Sequence, residues 1–341
     1  MKKFIVDVQH HILPLEMVDI AKQAGILDTS LGIPVIRWKG ITFSGSSDMI
    51  NLSKHMKVSK AAGLTHIMLS FAMLTTIANE LLNVPTYEAA KMHNDNMVKI
   101  RDQYPNMIFP YCAVNPHDGD EAIKEMERCI DQLGFKAVSI DTSYGTTNKV
   151  FNHTIETYKF WKYVNDKEIP VYVHPSFLCY GWEWMDRYKF EETVGRPAET
   201  ALSVSLMILS GLFDMFPKLK IILAHMGGGF LMCLPRLQFG HKLGYEGFLD
   251  YQKGKNKKEP IEYVRQNIWA DTMGFDPAGI KHAIEVFGID HILLGTDYAA
   301  VPITPKEHID IVCDQLGLSE DDQNKILGLN AKKLYNLPDS E

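Results

Sequence analysis

The residues best suited to chemistry in this 341-residue chain are three histidines and an aspartate, each placed where a short apolar run ends. His11 closes Ile5-Val-Asp-Val-Gln-His-His, and His174 closes Pro170-Val-Tyr-Val-His. His225 closes Leu219-Lys-Ile-Ile-Leu-Ala-His, and Asp297 closes Ile292-Leu-Leu-Gly-Thr-Asp. Imidazole nitrogens and a carboxylate are the usual ligands of a catalytic divalent ion that keeps one position open for water or substrate. One buried histidine alone is more often a hydrogen-bonded core residue. Four such groups at matching strand ends argue for a metal with an acid/base pair beside it. Alternation along the first strand predicts that Asp7, Gln9 and His11 share a face, while His10 points the other way and is packed or hydrogen-bonded. Gln9 sits where a metal site prefers histidine. Its amide oxygen is a weak, neutral donor, which favours hard ions such as manganese or magnesium, or it positions a water.

Such groups need a scaffold that brings distant strand ends together. Eight apolar runs, near residues 5, 67, 111, 138, 172, 222, 269 and 293, have the length of buried strands. Helical patterns separate them, among them Tyr87 to Tyr104, Gly119 to Leu133 and Gly279 to Phe287, with a closing pair at Pro305 to Leu316 and Asp321 to Leu334. This alternation predicts a parallel sheet. Eight units without a long linker predict one (β/α)₈ barrel over residues 1–341, with a small insertion at about 30–47 rich in Gly, Ser, Pro and Lys. His11, His174, His225 and Asp297 then end strands one, five, six and eight and face one mouth. A doubly wound open sheet is the runner-up, but no Gly-rich phosphate turn follows the first strand.

The bulk composition narrows the partners. A formal charge of −7, with no basic run, argues against nucleic acid. The five scattered cysteines, without a CxxC, fit free thiols in a reducing cytoplasm. No signal peptide and no apolar stretch of about 20 residues is visible, so neither export nor a membrane span is expected.

The motifs resemble the amidohydrolase superfamily, in the branch of aminocarboxymuconate-semialdehyde decarboxylase and the aromatic-acid decarboxylases. The similarity runs from Asp7-Val-Gln-His-His-Ile-Leu-Pro14 through Pro170-Val-Tyr-Val-His-Pro175, Gly195-Arg-Pro-Ala-Glu-Thr200, Phe216 to Gly229 and Ile292 to Tyr298, to Asn330-Ala-Lys-Lys-Leu-Tyr335. It implies a single-metal site with His11, His174 and Asp297 as ligands, His225 as a catalytic group, zinc or manganese as the ion, and a homodimer. Gln9 departs from that pattern, replacing a histidine or glutamate. The loop position where semialdehyde decarboxylases carry an arginine is Thr42 or Phe43 here, with Arg37 nearby but out of register. Arg236 occupies the place of a subunit-contact arginine near the active site and could bind substrate there, while an ordinary surface charge fits it equally well.

Other residues are weighed on their own positions. Phe177, Tyr180, Trp182 and Trp184 follow His174-Pro175 and could wall a planar substrate or simply pack their loop. Asp271, ending the seventh strand, could reach the mouth or hold backbone. Lys136 begins its strand and should lie at the far end. Gly227-Gly228-Gly229 permits a sharp turn or close backbone approach. The expected activity is metal-dependent, non-oxidative decarboxylation of a small aromatic or unsaturated carboxylic acid, with Asp297 or His225 delivering the proton. The same ligands would serve hydrolysis of an ester, lactone or amide, and Gln9 keeps open a metal-free binding barrel.

Overall fold

A computed structural model describes residues 3–246, 251 and 254–339. Its centre is an eight-stranded sheet of β1 (Val6–His10), β2 (His66–Leu69), β3 (Ile108–Ala113), β4 (Ala137–Asp141), β5 (Pro170–His174), β6 (Lys220–Leu223), β7 (Ile268–Asp271) and β8 (Ile292–Leu293). The strands lie in sequence order, and all paired neighbours are parallel. Closure comes from Val8 N–H donating to the Leu294 carbonyl at 2.9 Å and from a parallel bridge between His10 and Tyr298. The expected (β/α)₈ barrel is the observed one.

Strand alternation divides the core. Val6, Val8, Met68, Tyr111, Ala137, Tyr172, Ile222 and Leu293 form one cluster inside the barrel. Ile67, Leu69, Val138, Ile140, Val171, Val173, Ile221, Leu223 and Ile268 face the helices. Strands buried on both faces read as continuous apolar runs, which is why all eight were visible in the sequence. The C-terminal segment seals one end, where Tyr335 meets the hydroxyl of Tyr111 at 2.9 Å.

Between β1 and β2 the chain builds a three-stranded antiparallel sheet from Leu27–Asp28, Val35–Trp38 and Ile41–Ser44. It shelters a second apolar cluster that includes Leu13, Trp38, Phe43, Phe71, Phe177 and Tyr298. Two helices have no counterpart in the sequence reading: Leu74–Leu82 and Phe230–Lys242. The second contains Pro235 and exposes Met232 and Phe239, so neither its local propensity nor an apolar stripe announces it. Among the described residues, no helix is long and apolar enough to cross a membrane.

Candidate metal centre and active-site cavity

The predicted metal-binding and catalytic residues belong to the C-terminal ends of barrel strands, and tertiary packing decides which of them meet. His174 is the last residue of β5, and His11 lies one residue past β1. His225 and Asp297 follow β6 and β8 on residues with positive φ, 56° in each case. Asp271 makes the first of these turns. Its carboxylate accepts from the backbone N–H groups of His225 (3.2 Å), Met226 (3.0 Å) and Met273 (3.1 Å). Its role is therefore to hold backbone, and burial, partly opposed by His225 and those N–H groups, pushes it up to about 6. A Cβ on Gly295 would stand 2.6 Å from that of Asp271, so the glycine lets the Leu294 to Asp297 segment pass beside it.

The expected grouping of Asp7, Gln9 and His11 needs correction. The β1 register shifts between Asp7 and His10, which breaks simple alternation. Asp7 faces away from the mouth and binds His10 Nε2 at 2.7 Å and the Thr296 backbone N–H at 3.1 Å. Gln9 and His11 alone turn inward. His10 is hydrogen-bonded as expected, with Nδ1 at 3.0 Å from His55 Nε2.

Ligand atoms of His11, His174 and Asp297 all lie within 4.8 Å of one another, and the three residues are buried. Each imidazole presents Nε2 to the centre because its Nδ1 is occupied. His11 Nδ1 donates to the Ser70 carbonyl at 2.6 Å, and His174 Nδ1 donates to that of Pro175 at 2.9 Å. This outer bond sets the tautomer and ring direction a metal ligand requires. Asp297 Oδ1 approaches His11 Nε2 at 2.8 Å, and Oδ2 approaches His225 Nε2 at 3.4 Å. Burial pushes Asp297 upward, but the neighbouring imidazoles of His11 and His225 outweigh it and hold the carboxyl well below the usual range. For His225, burial lowers basicity, and the bond to Asp297 more than reverses it. His174 is driven well down, by burial first and then by its histidine neighbours.

Among the described residues, His11 Nε2 and Asp297 Oδ1, 2.8 Å apart, are buried without a hydrogen-bond partner, and so is Gln9 Oε1. Orphaned buried acceptors are costly, and a cation shared by His11 and Asp297 relieves both. The residues present therefore fit a divalent ion. The amide nitrogen of Gln9 is 2.8 Å from His225 Nε2. A flipped amide would offer that ring its oxygen instead, so Gln9 can serve His225 in either protonation state.

His11, His174, His225 and Asp297 line a cavity of about 600 Å³ whose other walls include Phe43, Phe71, Met73, Met273, Phe275, Glu192 and Arg196. The aromatic wall expected from Phe177 and Trp182 is built by other residues. Phe177 turns into the apolar cluster against Trp38, with ring centroids 6.0 Å apart, and Trp182 Nε1 donates to the Thr146 carbonyl at 3.0 Å. Arg236 is exposed on Phe230–Lys242, beside a separate surface groove, and within one chain does not line the cavity. Arg37 is also outside, paired loosely with Asp28 at 3.7 Å, whereas Phe43 is on the wall. Lys136 precedes β4 and so sits at the opposite end of the barrel.

Arg196 and Glu192 were missed because charges near a helix start read as surface residues. The available signal was the motif Gly195-Arg-Pro-Ala-Glu-Thr200, which contains Arg196 and follows Glu192 by three residues. In that motif Glu199 accepts from Thr142, Ser176 and the Tyr180 N–H, tying down the loop after His174. The glycine run serves the same docking. A Cβ on Gly228 would meet the Pro197 carbonyl at 2.5 Å, and Gly229 N–H donates to that carbonyl at 3.1 Å.

A (β/α)₈ barrel with a His/His/Asp cluster and a histidine–aspartate pair at its mouth defines a metal-dependent barrel enzyme class. Within that class the chain belongs to the amidohydrolase family, whose profile matches residues 6–337. It is 28% identical over 265 residues to gamma-resorcylate decarboxylase of Polaromonas, covering 73% of this chain and 77% of that one. It is 25% identical to 2-amino-3-carboxymuconate-6-semialdehyde decarboxylase of Dictyostelium discoideum, over 73% and 67% of the two chains. Among solved structures, a Polaromonas dihydroxybenzoic acid decarboxylase with bound manganese and 2-nitroresorcinol superposes with a TM-score of 0.79 at 23% identity, over 98% and 97%. A 5-carboxyvanillate decarboxylase of Sphingomonas paucimobilis also gives 0.79, at 22% identity over 98% and 99%.

Proposed function

We propose that this protein is a divalent-metal-dependent, non-oxidative decarboxylase of a small aromatic or unsaturated carboxylic acid. The observation that carries the reading is the convergence of His11, His174 and Asp297 within 4.8 Å at an aromatic-walled cavity, with His225 beside Asp297. The names of the curated relatives support the same reaction class. His11, His174 and Asp297 would hold the ion, with Gln9 as a weak fourth donor, and manganese suits that oxygen- and nitrogen-rich set. When bound, the ion supplies a Lewis acid for a carboxylate and a neighbouring oxygen.

The chain's own residues do the rest. Phe43, Phe71 and Phe275 hold a planar substrate and exclude water. His225 carries the proton at Nε2, oriented by Asp297. It delivers that proton to the ring or alkene carbon that bears the carboxylate. The carbon–carbon bond then breaks, CO₂ leaves, and the bonding pair restores the π system. Proton transfer from a positioned side chain contributes about 10²–10⁴-fold. The test is CO₂ release from hydroxybenzoic acids, 2,6-dihydroxybenzoate first, by the manganese-supplemented protein and its His225→Asn variant. Retained metal with turnover lost supports the assignment; unchanged turnover removes His225 from the mechanism.

The helix Phe230–Lys242 exposes Met232 and Phe239 and is followed by exposed Leu243 and Tyr245, which supports a homodimer through this face. Arg236 would then lie at the interface. A monomer in sedimentation equilibrium at micromolar concentration would exclude that assembly. The free cysteines fit a cytoplasmic location.

A further inference from the structure

Among the described residues, two cations line the cavity, Lys189 and Arg196. Lys189 is exposed and donates to the Thr42 carbonyl. Arg196 is different: its side chain is 7% exposed, and it opens the helix Arg196–Leu209 that the glycine run holds against the site. Its Nη1 donates to Glu192 Oε2 at 2.6 Å. Its Nε and Nη2 are buried and have no hydrogen-bond partner. Those two nitrogens share one edge of the guanidinium, where parallel N–H bonds match the two oxygens of a carboxylate. The rings of Phe43 and Phe177 lie 6.0 and 5.9 Å from Cζ. Aromatic rings tolerate a cation but do not replace two in-plane acceptors. Glu192 is 29% exposed and occupies only the opposite nitrogen, so an ion pair with it does not account for the free edge.

We propose that Arg196 is a specificity-determining residue that takes a second carboxylate of the substrate, making the natural substrate an aromatic or unsaturated dicarboxylic acid. The proposal rests on the decarboxylase reading, in which the first carboxylate lies at His11, His174 and Asp297. The departing carboxylate loses its charge as CO₂, so a guanidinium gripping it would favour the ground state over the transition state. A carboxylate that keeps its charge throughout can be held tightly without that penalty, and it fixes the ring for protonation.

The experiment reads binding rather than turnover. Manganese-loaded protein is titrated calorimetrically with benzoate, isophthalate and terephthalate. The better dicarboxylate should bind wild type at least about 10-fold more tightly than benzoate. Arg196→Met should reduce that advantage below about 3-fold with benzoate affinity unchanged. Arg196→Lys, which keeps charge but loses the fork, should fall between. Glu192→Gln, which removes the competing carboxylate, should widen the advantage. No advantage in wild type, an advantage that survives Arg196→Met, or an equal loss for benzoate overturns the assignment. Should Arg196→Met fail to fold, an unchanged advantage in both Arg196→Lys and Glu192→Gln overturns it. Arg196-dependent dicarboxylate binding without CO₂ release from any acid tested would leave this site standing and overturn the decarboxylase reading instead.

Discussion

His10 and His11 are neighbours on one strand end, both buried, yet they belong to opposite kinds of site. His10 uses both ring nitrogens, on Asp7 and His55, and Asp7 in turn also binds Thr296 through backbone N–H and hydroxyl. Around His11 the pattern reverses. Its Nε2 and Asp297 Oδ1 meet at 2.8 Å without satisfying one another, and Gln9 Oε1 is also buried without a partner. The first cluster joins β1 to the segment after β8 and helps close the barrel. The second leaves polar groups unpaired where a ligand must enter. Burial and residue type do not separate these two histidines, whereas hydrogen-bond satisfaction does.

That contrast breaks first at the reacting group. Substituting His225 by Asn should cut turnover by about 10²–10⁴-fold and leave metal content and the thermal midpoint nearly unchanged. On the satisfied side, Asp7→Ala strips a buried partner from His10 and Thr296, and should cost about 3–5 kcal/mol in denaturant unfolding. Metal bound per folded molecule should stay the same. A stable Asp7→Ala protein would show that the cluster behind β1 does not hold the barrel closed.

Asp141 sharpens the comparison, because it is orphaned without being on the cavity wall. Both of its carboxylate oxygens lack partners. Burial raises it to about 8, with Lys149 opposing and Glu199 adding to the rise. The folded state therefore keeps a proton that the unfolded chain has already released, so stability declines as pH rises from about 4 toward 8. Asp141→Asn should remove that decline and stabilise the protein by about 1–3 kcal/mol at pH 8, with less gain at pH 5. Equal gains at both pH values would refute the buried protonated form. A smaller change is expected at Gln9. Gln9→Glu adds charge to the unsatisfied cluster and should tighten manganese binding about tenfold in a chelator competition. Least affected should be Trp182→Phe, outside the cavity, with kcat/KM within about 3-fold of wild type.

Much of this was legible in the chain itself. Eight doubly buried strands, the glycines and prolines around them, and His11, His174, His225 and Asp297 at their ends together dictate a barrel and its functional mouth. These signals are local: apolar run length, a polar residue ending it, and a turn residue after it. Three things were not local. The register shift in β1 separated Asp7 from Gln9 and His11, because pairing with β2 and the segment after β8 overrode simple alternation. The loop after β5 buried Phe177 under the inserted sheet and brought forward Phe43 and Phe71, which no spacing in the sequence relates. Arg196 reaches the cavity from a helix start whose next residue, Pro197, packs closely on Gly228, a contact between segments far apart in the chain. Which buried groups find partners, and which stay open for a ligand, depends on distances between segments far apart in the chain, and only the folded barrel sets those.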